Sequence, residues 1–221
     1  MRLDKYLANL WVVPRRQIKK LLKSWEVLLN MKCVDSPSIK IQEGDMLSVY
    51  GQDIEVKYLV TLLVHKPKSY ISSDIDEGEY ASYNDLIYDC PYSQLVHVAW
   101  RLDADTEGLL LCTSDGKLTQ RIVHPKNNCE KEYFVRTALP INQRMVDILV
   151  AWVIMDWNVQ ALLAKVEQLS ENELRIIIVE WKYHQVKRML RAVGNEVSYL
   201  RRDRIWEWVL WDLKIGEWKY V

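Results

Sequence analysis

The chain has 221 residues, is 49% hydrophobic and 27% charged, and balances 30 Lys and Arg against 30 Asp and Glu. That length buries a full core and suits one catalytic domain with a small added module. No apolar run is long enough to span a membrane, nothing resembles a secretory leader, and there is no low-complexity segment. The cysteines (Cys33, Cys90, Cys112, Cys129) lack C-x-x-C spacing, and the histidines (His65, His97, His124, His184) lack metal-ligand spacing. No metal centre or disulfide framework is expected, and a reducing, cytoplasmic setting follows.

Zero net charge hides a segregation. Residues 1–24 hold seven Lys or Arg against Asp4, residues 181–204 hold seven more against Glu196 and Asp203, and residues 74–89 hold six acids and no base. Two basic faces favour a polyanionic partner, although either run alone would also suit a solvated helix.

In chain order, Leu3, Leu7 and Leu10 share one helical face, and Pro14 opens a second helix with Ile18, Leu21 and Leu22 inward. Its other face carries Arg15, Arg16, Lys19, Lys20 and Lys23. An ordinary amphipathic hairpin explains the leucines but not this concentration of charge. Short β segments follow at Val27-Leu28-Leu29, Ile39-Lys40-Ile41 and Met46 to Tyr50, and Gln52 to Tyr58 reads as a polar connector. Val60 to Val64 is a buried strand that turns at His65-Lys66-Pro67-Lys68-Ser69. The acidic stretch is a solvated loop in which Ser82 caps a short helix, Asn84 to Tyr88.

An apolar strand, Leu95 to Ala99, then runs into Trp100-Arg101-Leu102-Asp103-Ala104-Asp105-Thr106-Glu107-Gly108, followed by a second apolar run and a Ser114-Asp115-Gly116 turn. Buried strands at both ends would hold this polar loop still. Arg101 and Asp103 would point to one face of extended backbone. Taken alone, an Arg-x-Asp is more often a surface ion pair. Lys117 to Val123 is a helix stopped by His124-Pro125. Cys129 to Val135 enters a strand, Ile141 to Val150 is helical, and strands Ala161 to Leu169 and Leu174 to Glu180 flank a turn. Glu180-Trp181-Lys182-Tyr183-His184-Gln185-Val186-Lys187-Arg188-Met189 leads into a helix that Gly194 ends.

The stretch from Trp100 to Gly116 resembles the long G-R-L-D-x-x-T-x-G-L-L-L-x-T-x-D-G signature of RNA pseudouridine synthases. The run from Glu180 resembles that family's E-G-x-Y-H-Q-V-[KR]-R-M element, and Cys129-Glu130-Lys131-Glu132-Tyr133 its E-K-x-Y element. Met1 to Leu7 and Val27 to Val34 are similar to the S4 RNA-binding domain. The resemblance covers nearly the whole chain. It implies an α+β protein, with an S4-like module of helices and a small sheet over 1–58. A catalytic domain over 59–221 would be built on a mostly antiparallel mixed sheet flanked by helices.

The resemblance also implies roles. Asp103 would be the nucleophile or base at C1′ of a uridine, Lys187 (with Arg188 in reserve) the cation beside it, Arg101 the holder of the extruded nucleotide, and Tyr133 the platform for the freed base. Arg2, Lys5, Arg15, Arg16, Lys19, Lys20 and Lys23, with Lys182, His184, Gln185 and Arg188, would bind RNA. No cofactor and no metal are implied. The expected partner is ribosomal RNA, 16S before 23S, or a ribosome-assembly particle, acted on by a monomer.

The sequence departs from the family at glycine. Only 7 residues are Gly while 10 are Trp, against a usual Gly share of about 7%. Trp11, Trp25, Trp100, Trp157, Trp181 and Trp206 stand at family glycine positions, Met31 at a turn glycine and Ser69 at the glycine of an N-K-P-x-G turn. If those sites need positive φ, each bulky residue costs roughly 1–2 kcal/mol. Indoles at 100 and 181 could also fill the base pocket, so a non-catalytic RNA-binding protein with a blocked pocket is the alternative reading.

Overall fold

The computed structural model describes residues 1–11, 14–24, 26–151 and 153–221. It opens with helices α1 (Leu3–Trp11) and α2 (Arg15–Lys23). Leu3, Leu7 and Leu10 of α1 and Ile18 and Leu22 of α2 are buried, the three- and four-residue spacing that turns one stripe inward. Arg15, Arg16, Lys19, Lys20 and Lys23 stay exposed on the opposite face. Strands β1 (Val27–Leu29), β2 (Lys32–Cys33), β3 (Met46–Val49) and β4 (Gln52–Glu55) follow, paired antiparallel in the order β2-β1-β3-β4.

Two expectations are corrected in this module. Gln52 to Glu55 is a strand, not a connector: Val49 pairs with Gln52 across Tyr50-Gly51, and both turn residues have positive φ (52° and 76°), the backbone a two-residue hairpin needs. Ile39 to Ile41 is not a strand beyond an isolated bridge from Lys40 to Arg2. Its backbone is instead tied to the start of the chain, with the Leu3 N–H donating to Ile39 O and the Ile41 N–H to Met1 O.

The second part contributes β5 (Thr61–Lys66), β6 (Tyr70–Ile71), β7 (Ala81–Ser82), β8 (His97–Val98), β9 (Glu107–Thr113), β10 (Lys131–Thr137), β11 (Ile154–Met155), β12 (Val159–Gln160), β13 (Lys165–Ser170), β14 (Glu173–Ile178), β15 (Val197–Ile205), β16 (Trp208–Val209) and β17 (Trp218–Tyr220). The main sheet runs β13-β14-β10-β15-β9-β5-β17, with β8 on β9 and β16 on β15. Its neighbours are antiparallel except β15 and β9, which are parallel. Helices α3 (Gly116–Val123), α4 (Gln143–Val150) and α5 (Gln185–Ala192) accompany it. Asp115 caps α3 at the Lys117 N–H, Asn142 caps α4 at the Met145 N–H, and Gly194 follows α5 with φ of 79°.

Ser82 caps as expected, by accepting from the Asn84 N–H, but the turn it opens is a 3-10 segment, Tyr83–Leu86. The strand before Arg101 is shorter than its sequence suggests: Ser93–Leu95 is a 3-10 turn and only His97–Val98 is extended. One hydrophobic cluster runs from Leu3 and Leu22 through Val60 and Tyr92 to Val135 and Leu200. The Tyr92 hydroxyl donates to Glu55 O at 2.7 Å. The N-terminal module thus packs on the larger sheet.

Of the bulky residues expected at turns, Met31, Ser69, Trp157 and Trp206 have φ of 64°, 67°, 57° and 51°. Trp211 joins them at 46°. Trp11 ends α1, and Trp100 and Trp181 lie outside the left-handed region, so no positive-φ strain acts there. Trp25 lies outside the described residues.

Candidate active site

The loop that carries Arg101 and Asp103 sits between β8 and β9, where β9 meets β15. Gly108 is indispensable at that crossing. Its φ is 118°, and a Cβ there would fall 2.3 Å from the backbone oxygen of Arg202, a clash no side chain escapes. From this anchor the loop is held carbonyl by carbonyl. Arg202 donates to Trp100 O and Arg101 O at 3.0 and 3.1 Å, and Ser72 Oγ to Leu102 O at 2.9 Å. The Thr106 N–H donates to Asp103 O and the Ser69 N–H to Ala104 O. A buried Lys66 adds Nζ donation to Pro67 O and Tyr70 O beside them. The left-handed Ser69 therefore sits in the turn that grips the loop from below.

Helix α5 brings the cation. Lys187 Nζ lies 2.8 Å from Asp103 Oδ2 and 2.6 Å from Asp105 Oδ1. Burial opposes the Lys187 charge, but its hydrogen bonds to Asp103 and Asp105 prevail and hold it above the ordinary lysine range. Desolvation acts against the Asp105 carboxylate, and Lys187 outweighs it, leaving Asp105 below its usual range. His184 Nε2 stands 3.6 Å from Asp103 Oδ2; His184 has φ of 49° and stacks on Tyr183 at 3.8 Å. Strained backbone of this kind gathers at functional sites. Asp103 Oδ1 accepts no hydrogen bond among the described residues. One oxygen of Asp103 is thus occupied by a cation and the other is free.

Arg101, Asp103, Tyr133, Lys182, His184, Gln185 and Lys187 all line one cleft. Arg101 is exposed, while Tyr133 is buried in β10. Two expected RNA contacts face inward instead. Arg188 is buried against the carboxylate of Asp156 and donates to Asp156 O and Tyr183 O, because the step from 187 to 188 turns it about 100° round the helix. It is not the reserve cation for Asp103. Gln185 is buried and donates to Glu180 Oε1 at 2.8 Å, and Lys182 is paired with the same Glu180. In the N-terminal module, Arg2 and Arg15 both pair with Asp4 while remaining about half exposed, and Lys5, Arg16, Lys19, Lys20 and Lys23 are exposed.

Trp100 and Trp181 form part of the cleft wall. The free volume over Asp103 is about 40 Å³, against about 300–1,000 Å³ for a typical ligand pocket. Trp100, Arg101 and Trp181 also border a neighbouring apolar hollow of about 420 Å³. Below Trp100, the ammonium of buried Lys131 lies 3.8 Å from the indole centroid, and burial pushes Lys131 down to about 8. Among the described residues no group of three or more His, Cys, Asp or Glu is arranged to hold a metal ion.

Sequence reasoning missed Lys131, Ser72 and Arg202. The signal for two of them was strand alternation: Lys131 shares a face with Tyr133 and Val135, and Arg202 with Leu200. An inward cation on an otherwise apolar face marks a built site.

A mixed sheet thus presents a lysine-paired aspartate on a braced loop, joined to a small module with a cationic helix. The chain belongs to the RNA pseudouridylate synthase family, whose model matches residues 60–192, and it carries an S4 domain over residues 1–47. It is 37% identical to an uncharacterized RNA pseudouridine synthase of Aquifex aeolicus, over 99% of this chain and 92% of that protein. It is 36% identical to the ribosomal small subunit pseudouridine synthase A of Vibrio parahaemolyticus, over 100% and 96%. A crystal structure of a pseudouridylate synthase superposes with a TM-score of 0.70 at 31% identity, covering 100% of this chain and 96% of that one.

Proposed function

We propose that this chain converts a uridine of ribosomal RNA, in the 16S molecule, to pseudouridine, with Asp103 as the reactive carboxylate and no cofactor. The observation that carries the reading is the Asp103–Lys187 pair on a loop whose carbonyls from Trp100 to Ala104 are held. The reaction breaks the bond from C1′ to N1, turns the base and rejoins it through C5. A carboxylate oxygen can attack C1′ or take a proton from the sugar, and Asp103 Oδ1 is free for either. Lys187 pairs with the group through Oδ2. Tyr133 offers the detached base a platform, Arg101 an exposed cation for the backbone, and the cationic face of α2 further phosphate contacts. The four-strand module and its two helices form the RNA-binding domain, ending near residue 58, in a monomer acting in the cytoplasm. Names of relatives that act on the ribosomal small subunit support 16S over 23S RNA.

The test is direct. Transcripts of 16S and 23S RNA, and the assembling small-subunit particle, are treated with the protein and pseudouridine is mapped. Modification of one uridine in 16S RNA by the parent, lost in Asp103→Asn, supports the reading. Modification confined to 23S RNA refutes the substrate. A specific observation keeps a second reading alive, namely the two indoles that leave only about 40 Å³ above Asp103. A parent that binds RNA without modifying it, and gains turnover on Trp100→Gly with Trp181→Gly, identifies a blocked pocket.

A further inference from the structure

Arg202 is fully buried at 0% exposure, yet no carboxylate pairs with it among the described residues. Its guanidinium spends its donors on three carbonyls: Leu109 O at 2.8 Å, Trp100 O at 3.0 Å and Arg101 O at 3.1 Å. Two of these precede Asp103 and one follows the loop, so a single side chain staples the two ends of the loop together. The planar fork suits this geometry, whereas a lysine ammonium is a single point that cannot span three acceptors so placed. The residue is itself fixed, because its backbone pairs with Gly108 in the only parallel contact of the main sheet. Burial pushes the Arg202 guanidinium down, and Tyr133 and then Asp103, both in the cleft, act against that.

We propose that Arg202 is the positioning residue for Asp103, fixing the carbonyls of Trp100 and Arg101 without occupying the carboxylate. This rests on the reading of Asp103 as the reactive group. Arg202→Lys keeps the charge and loses the fork. It should slow single-turnover pseudouridine formation about tenfold or more, leave RNA affinity within about twofold of the parent, and speed hydrogen exchange at the Leu102 and Thr106 amides. Arg202→Met loses the fork and the charge together, and should slow turnover and speed exchange at both amides at least as much. A folded Arg202→Lys with parental rate and parental exchange overturns the proposal. If Arg202→Met does not fold, the lysine variant decides alone. A parent without activity defeats the functional reading, while exchange still decides the role of Arg202.

Backbone geometry singles out a separate group of residues. Trp157, Trp206 and Trp211 have φ of 57°, 51° and 46°, a region bulky residues almost never adopt. Trp157 and Trp211 are each 78% exposed, and no indole N–H of the three donates a hydrogen bond among the described residues. Trp157 has the Arg188 guanidinium against its ring, and Trp206 has that of Arg121 and an edge-on contact with Trp208 at 5.6 Å. Trp218 is different: it sits in β17 and its indole donates to Asp89 at 2.7 Å. With 10 Trp and 7 Gly in the chain, we infer that the codons at 157, 206 and 211 are read as glycine in the cell of origin. Peptide mass spectrometry of the protein isolated from those cells should find Gly at all three and Trp at 218. Tryptophan at 157 and 211 overturns the inference.

Discussion

Replacing Trp157 and Trp211 together with glycine should stabilise the protein, whatever residue the native cell inserts. A bulky residue held in left-handed backbone costs roughly 1–2 kcal/mol. Glycine returns about 0.5–1 kcal/mol of that through the greater freedom of its unfolded chain. Both indoles are 78% exposed, so little buried area is forfeited, and the Arg188 contact to Trp157 at 4.9 Å is worth about 0.5–1 kcal/mol at an exposed site. The net gain is about 1 kcal/mol for the pair. For a chain of this size that corresponds to about 2–4 °C in melting temperature. Calorimetry on the parent and the double variant reads it. Trp218→Gly, in ordinary strand backbone with a bonded indole, serves as the opposite control and should melt lower. A double variant that melts below the parent refutes the strain argument, because it would mean the indoles contribute more through contact than their backbone loses.

At the site, Asp103→Asn should abolish tritium release from 5-tritiated uridine RNA while leaving RNA affinity nearly unchanged; Asp105→Asn should retain most of the rate, since Lys187 stays bound to Asp103. An active Asp103→Asn removes the assignment. In the N-terminal module, Arg16→Ala with Lys19→Ala and Lys23→Ala should lower the slope of log affinity against log salt by about 2–3; an unchanged slope takes α2 off the RNA. The hydrogen bond from Arg2, then contacts from Arg15, hold Asp4 down to about 2, so its contribution to stability is complete above the ordinary aspartate range and is lost as pH falls from about 4 toward 2. Denaturant midpoints at pH 5 and pH 3 should therefore differ less in Asp4→Asn than in the parent, and the difference should shrink in high salt because both arginines are half exposed; equal pH dependence in the two proteins contradicts the pairing.

Local signals were legible wherever the cause was local. The cap at Ser82, the stop after Val123 and the glycine after α5 each act within a few residues. Pairing Lys187 rather than Arg188 with Asp103 came from aligning a motif, and the helix geometry then explains it. Gln52 to Glu55 was misread because its hairpin turns on Tyr50, whose positive φ its side chain does not announce. Arg202 was counted as part of a basic face. Strand alternation with Leu200 places it on the inward face, but what it holds there is set by the parallel pairing of β15 with β9, a contact between distant segments. Composition counted the charge, and only the alternation and the long-range pairing show where it goes.

The arrangement of charge around Asp103 follows from what its proposed chemistry demands. A carboxylate that must react needs to be ionised in a partly dry cleft, yet a full set of partners would leave it no free oxygen. Lys187 pairs with it at one oxygen and divides its attention with Asp105, so Oδ1 stays open. The further positive charge is buried in Arg202, which is bonded to carbonyls and therefore cannot swing up to close the remaining oxygen. A cation fixed by carbonyls holds the loop without competing for the carboxylate. That separation of holding from pairing is why a fully buried arginine with no acidic partner belongs under this loop, and why its conservative replacement by lysine is the more informative variant.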